Sequence, residues 1–349
     1  MDLTDAIMSQ YAELVERLSD ALKLRELTPE PFATVQEASA SNLRNETNSK
    51  RNILGVGYGE KLTGGQPQGV LAIGIYVVRK VPPNEVNSDF LAASLVQRHL
   101  GSQYQSDVIE VGRPRLLHHA THTYTLHIPG GVAIGDAAFV NHGTLGGWLT
   151  DESGTPYLLS CWHCIDGTPG GGIGRDVHQP PRGNRIAQVA ASIDPTTRFG
   201  PTTIDACIAK LDDPQRVGDF ILRLGEMRRP QRVRKTYLQV CKSGALTHRT
   251  VGTIIQISAK IPFYVPPLGY NVFYENQLLI QPHHPVGPFA SPGDSGSLVL
   301  MNEPVDENRV VGLLVGGDDA PPIYIATPIL DVVAAFASSS RALRFIEYP

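Results

Sequence analysis

From about residue 130 onward the chain is written in short apolar runs separated by Gly/Pro turns: 146–150, 157–160, 185–190, 204–211, 251–257, 277–280, 296–300, 310–315 and 323–326. Runs of this length are too short for packed helices, and their regular spacing with turn signals predicts a β-sandwich or β-barrels. The 34 glycines and 27 prolines fit that reading, since they punctuate strands and interrupt helices. No internal repeat at a fixed period is visible.

The first part of the chain has a different texture. Leu3, Ile7, Tyr11, Leu14, Leu18 and Leu22 recur at three- and four-residue steps, which predicts an amphipathic helix over 2–25 within an N-terminal region 1–32. Residues 33–51 are polar and patternless and read as a linker. Residues 52–115 read as a small α+β domain: strands at 53–59 and 70–78, a turn at 63–67, a short helix over 88–100 and a strand at 107–111. A first barrel is expected over 130–225 and a second over 236–337. The last helix is placed at 329–337, followed by a tail.

Composition excludes several classes. Apolar residues make up 42% and charged residues 18%, so the chain can bury a large core and is not mainly disordered. The net charge of −4 calls for neither nucleic acid nor an anionic membrane as partner. The basic stretch 223–235 reads as a solvated connector between the barrels rather than a nucleic-acid surface. No apolar run approaches eighteen residues, so no membrane-spanning helix is expected. The N-terminus is acidic and amphipathic, unlike a secretion signal. Four cysteines, Cys161, Cys164, Cys207 and Cys241, make no disulfide scaffold in a chain of 349 residues. These points place the protein in a reducing, cytoplasmic compartment.

Three segments carry chemistry. In Ser291-Pro292-Gly293-Asp294-Ser295-Gly296-Ser297, glycines flank a serine at the start of a strand. A serine hydroxyl needs a base to take its proton and donors to hold an oxyanion. Here the N–H groups of Gly293 and Ser295 are the natural donors. In Leu158-Leu159-Ser160-Cys161-Trp162-His163-Cys164, a histidine follows a buried strand, a place suited to a general base. In Thr203-Ile204-Asp205-Ala206-Cys207-Ile208, one carboxylate opens an apolar strand and needs a cationic partner such as an imidazolium.

Together, the order His163, Asp205, Ser295 resembles the chymotrypsin/trypsin-like serine peptidases and differs from the subtilisin and α/β-hydrolase orders. The stretches Gly143–Leu149, Lys242-Ser243-Gly244-Ala245-Leu246-Thr247 and 310–317 resemble further parts of that fold. Most narrowly, residues 50–335 resemble bacterial trypsin-like proteins related to the plant NARROW LEAF 1 protein. The resemblance implies a mainly β, chymotrypsin-like double β-barrel preceded by a helix and a small α+β domain. It implies His163 as general base then general acid, Asp205 as its orienting partner, Ser295 as nucleophile, and Gly293 and Ser295 as the oxyanion hole.

The resemblance also marks departures. Secreted relatives often bridge the cysteine after the catalytic histidine to the preceding strand, but residues 143–150 contain no cysteine. In zymogen-activated relatives the residue matching Asp294 pairs with a freshly cut N-terminus. No activation cut is evident here, so Asp294 either finds another donor or marks a regulated oxyanion hole. Phe289, six positions before Ser295, forms the base of the expected specificity pocket, with Val315, Gly316 and Gly317 as its wall. That lining favours an apolar side chain before the cut.

Other readings of the same residues are a catalytically silent protease-fold scaffold and an esterase using the same triad. Cys161, His163 and Cys164 lack the spacing of common zinc knuckles, so neither metal nor cofactor is expected. His118, His119 and His122 are given no role. The expectation is therefore a cytoplasmic serine endopeptidase acting on protein or peptide substrates. It is expected to be regulated and partner-specific, as in bacterial defence or signalling, and to use its N-terminal region for control or for assembling copies of itself.

Overall fold

The structure, a computed structural model, describes residues 5–24, 52–64, 66–112, 115–116, 124, 126–137, 142–168, 171–196, 204–265, 270–283, 287–319, 322–338 and 342–346. The 33–51 segment and His118, His119 and His122 lie outside the described residues.

The chain is mainly β, as its alternating texture predicts, and its two large curled sheets resemble a double β-barrel. In the first, the strand order is Arg344–Phe345, Gly147–Thr150, Pro156–Ser160, Ala206–Leu211, Asn184–Ile193, Asp176–Gln179, Ala133–Gly135 and His142–Thr144. Pro156–Ser160 is buried along its whole length, which explains its unbroken apolar sequence. The second contains a closed ring. Leu238–Gly244 pairs on one side with Leu298–Met301 and on the other with His248–Val265, and Val310–Asp319, Pro322–Pro328 and Tyr270–Pro282 complete the circuit. A closed ring leaves no unpaired edge around most of its circumference.

Two features differ from the sequence expectation. The strand expected at 251–257 runs over His248–Val265, and its outer half carries Ile53–Thr63 along its edge, with Val56 opposite Lys260. Gln66–Val77 and Gln105–Glu110 extend the same sheet. Strand pairing thus joins residues 53–110 edge to edge with the second barrel, a long-range register that local patterning does not reveal. The tail expected after the last helix, Ile329–Ser338, instead returns to the first barrel, where Arg344 and Phe345 pair with Thr150 and Leu149.

The N-terminal helix spans Asp5–Ala21 and buries Leu14, Val15 and Leu18. Leu22 and Leu24 are also buried just beyond it. They join one core with Tyr58, Ile73, Ile254 and Ile280. Each such aliphatic burial is worth about 1.5–3 kcal/mol, enough to hold the helix on the body. Lys260 fixes the contact from below: its buried Nζ lies 3.1 Å from Glu16 and 2.9 Å from Glu275. Among the described residues no helix is long and apolar enough to cross a membrane. Within the basic stretch, Arg232 pairs with Asp331 at 2.9 Å and Arg234 with Asp5.

Candidate active site

His163 sits on the single helical turn Trp162–Ile165 that follows Pro156–Ser160. Asp205 directly precedes Ala206–Leu211, the neighbouring strand in the same sheet. Adjacent strand ends therefore bring the two side chains together across 42 residues of sequence, with His163 Nδ1 2.5 Å from Asp205 Oδ2. The His163 backbone N–H donates to the other carboxylate oxygen at 3.2 Å. Tyr274, from the second barrel, donates its hydroxyl to Asp205 Oδ2 at 3.0 Å. Asp205 is fully buried, so these donors replace the water that it loses.

Burial pushes the His163 imidazole down, but the Asp205 carboxylate and the Cys164 thiol outweigh it and hold the ring well above its ordinary range. Burial also raises the Tyr274 phenol, and the nearby carboxylate raises it further, so it stays a neutral donor.

Ser295 lies on the loop before Leu298–Met301, with its backbone carbonyl held between the barrels. That carbonyl accepts from Thr144 N–H at 2.8 Å and from the Cys164 thiol at 3.4 Å, placing Ser295 beside the neighbour of His163. The Ser295 hydroxyl donates to Val315 O at 2.7 Å. Gly296 has φ +90°, and a Cβ there would lie 2.3 Å from Ser160 Oγ and 2.4 Å from Thr144 O. Only glycine accommodates both the turn and the approach.

Asp294 is fully buried and finds a full set of donors. Lys242 Nζ lies 3.0 Å away, Thr247 donates its hydroxyl at 2.5 Å, and the N–H groups of Leu246, Thr247 and Ser291 donate at 2.9–3.1 Å. Burial raises the carboxyl, but Lys242 and these hydrogen bonds bring it below the ordinary carboxylate range. Burial lowers the Lys242 ammonium, which the Asp294 charge partly restores. Asp294 thus takes its donors from this chain's own Lys242, Thr247, Leu246 and Ser291.

The donor atoms of Cys161, His163 and Cys164 lie within 4.8 Å of one another. Both thiols are engaged with backbone carbonyls, Cys161 with Leu314 O at 3.2 Å and Cys164 with Ser295 O. Burial raises Cys164, yet the Cys161 hydrogen bond and the His163 ring bring it down to about 6. All four cysteines are free, and a Cβ on Gly143 would fall 2.3 Å from Cys164 Sγ. Glycine thus stands where the strand approaches this thiol most closely.

Phe289 is fully buried, its ring 5.7 Å from that of Tyr324, and its carbonyl accepts from Thr250 at 2.6 Å. Val315 is also fully buried, and Gly316 and Gly317 follow it along Val310–Asp319.

The structure thus brings His163 and Asp205 into direct contact and sets Ser295, Gly293 and Asp294 on one loop, whose Ser295 carbonyl meets Cys164. Sequence reasoning missed Tyr274 and the role of Lys242. Lys242 stood in a recognisable Lys-Ser-Gly stretch, but nothing local marks a lysine as buried. Tyr274 gave no signal, because it arrives from the other barrel.

No family model matches the chain, and no curated protein matches it in sequence. Solved structures do. Nocardiopsis protease is 18% identical with a TM-score of 0.44, the match covering 63% of this chain and 98% of that one. Thermobifida fusca Protease A is 19% identical with a TM-score of 0.47, covering 64% and 100%. A glutamic acid specific serine protease, described as using a histidine triad in substrate binding, is 14% identical with a TM-score of 0.43, covering 63% and 100%.

Proposed function

We propose that this protein is a serine endopeptidase of the trypsin-like class, akin to the bacterial proteins related to NARROW LEAF 1. The observation that carries the reading is the buried contact between His163 Nδ1 and Asp205 Oδ2, set beside the Ser295 loop. In the proposed reaction the Ser295 hydroxyl turns from Val315 O to His163 Nε2, loses its proton to it and attacks the substrate carbonyl. Asp205, held in place by the Tyr274 hydroxyl, stabilises the imidazolium that forms. The oxyanion is taken by the N–H groups of Gly293 and Ser295. His163 then returns its proton to the leaving amine, and water completes the cycle by the same route.

An apolar preference for the side chain before the cut is proposed from Val315 and the glycines 316 and 317, while Phe289 is packed in the core against Tyr324. Four free thiols support action in a reducing, cytoplasmic compartment. A restricted set of protein substrates fits such a setting. The N-terminal helix, docked on the body through Leu14, Leu18 and Lys260, is the proposed element of control or self-assembly.

The test is labelling of Ser295 by a fluorophosphonate beside the Ser295→Ala variant, followed by a peptide library. Labelling lost in the variant, with peptide cleavage after apolar residues, is expected. A folded protein that never labels would instead be a silent scaffold, and one that cleaves esters but no peptide would be an esterase.

A further inference from the structure

One edge of Val310–Asp319 can be followed residue by residue. Residues 310–313 pair with Leu298–Met301. Leu314 exchanges backbone hydrogen bonds with Gly296 and Ser297. Val315 O holds the Ser295 hydroxyl at 2.7 Å. The next two residues, Gly316 and Gly317, pair antiparallel with Leu116 and Arg115 of the same chain. The opposite edge is closed by Pro322–Pro328. The edge that runs up to the nucleophile is therefore taken by a two-residue strand from the connection between residues 53–110 and the first barrel.

The direction of that strand matters. Antiparallel pairing sets Arg115 opposite Gly317 and Leu116 opposite Gly316, so the segment runs, N to C, toward Val315 and Ser295. An extended peptide gains affinity by adding a strand to a sheet edge, through main-chain hydrogen bonds that do not depend on its sequence. A peptide added to this edge in the same direction would lie within a residue or two of Ser295, since Val315 O holds its hydroxyl and one residue advances the chain only about 3.3 Å.

We infer that Arg115–Leu116 occupies, within the same molecule, the strand position of a peptide substrate, and so restrains the site until it is displaced. The inference rests on the endopeptidase reading for its consequence and on backbone register for its geometry. It accounts for restraint without an activation cut: Lys242 supplies the charge that seats the nucleophile loop, and the connection supplies the block. An occupant held on the same chain competes at high effective concentration, so even weak pairing excludes a dilute peptide.

The experiment uses the full chain and a fluorescein-labelled heptapeptide copying residues 113–119. Proline removes a backbone N–H and cannot continue a ladder, so Arg115→Pro with Leu116→Pro disables the internal strand whichever N–H it uses. In a Ser295→Ala background the heptapeptide is expected to bind the double-proline variant at least tenfold more tightly than the unsubstituted chain, by fluorescence polarisation. Amide exchange at Gly316 and Gly317 is expected to speed up without the peptide and slow again with it. Equal affinity in both proteins, or none in either, overturns the inference. Leu116→Pro alone repeats the test if circular dichroism shows the double variant unfolded.

With Ser295 intact, kcat/KM for the heptapeptide is expected to rise at least tenfold in the variant. Fluorophosphonate labelling separates the two readings. Labelling with unchanged peptide affinity removes the internal occupant alone. Rising affinity without labelling keeps the occupant and removes the hydrolytic reading.

Discussion

The Nζ of Lys242 lies 3.0 Å from Oδ2 of Asp294, and both side chains are fully buried. This pair ties the first strand of the second barrel to the loop that carries Ser295. Desolvating two charges is costly, and the hydrogen bonds from Thr247, Leu246 and Ser291 complete the carboxylate's shell. Lys242→Met is expected to lose about 3–5 kcal/mol of stability, because it strands a buried carboxylate. Urea unfolding reads the loss. Lys242→Met with Asp294→Asn should recover much of the stability, but not the seating of the loop or the turnover.

Acid should act through the same carboxylate. Its folded value is depressed, so its contribution is complete above the ordinary carboxylate range and lost as pH falls through the folded value. Thermal unfolding of the native chain should therefore weaken below about pH 4. The variant lacking both charges should lose less over that interval.

The charge relation at His163 has the opposite sign. Its folded value is raised, so its stabilising contribution is complete below the ordinary histidine range and lost as pH rises through the folded value. Catalysis needs the neutral ring, so kcat/KM should climb with pH on a limb lying above about 6.5. Asp205→Asn should lower turnover about 10⁴-fold and move that limb downward. A pH profile in the native range checks both.

Tyr274→Phe removes a 3.0 Å hydrogen bond to buried Asp205 without changing the packed ring. A loss of about 1–3 kcal/mol in stability is expected. A several-fold drop in kcat with little change in KM would mark Tyr274 as a positioning residue. An unchanged pH profile and kcat would assign it to packing alone.

Gly296→Ala places a methyl carbon against Ser160 Oγ and Thr144 O in a left-handed conformation. A cost of about 3 kcal/mol is expected from strain and overlap together. Fluorophosphonate labelling should fall with it, because Gly296 directly follows Ser295 and shapes the turn that carries it.

The sequence by itself determined the mainly β character from residue 130 on, because strand length, turn residues and apolar runs are local properties; it left sandwich and barrel open. It also singled out His163, Asp205 and Ser295, each of which sits beside a buried strand or within a glycine-rich turn that is visible in a few residues. The last helix was legible for the same reason, its apolar face being written in consecutive turns.

What tertiary structure alone decided is what joins residues far apart in the chain. Tyr274 reaches Asp205 from the other barrel. Lys242 meets Asp294 across 52 residues. Arg344 and Phe345 close on the first barrel although they follow the last helix. Residues 53–63 add to the strand at 248–265, and residues 115–116 take the edge beside Ser295. Register between distant strands depends on which edges remain unpaired once the barrels close, and no local pattern of residues records that.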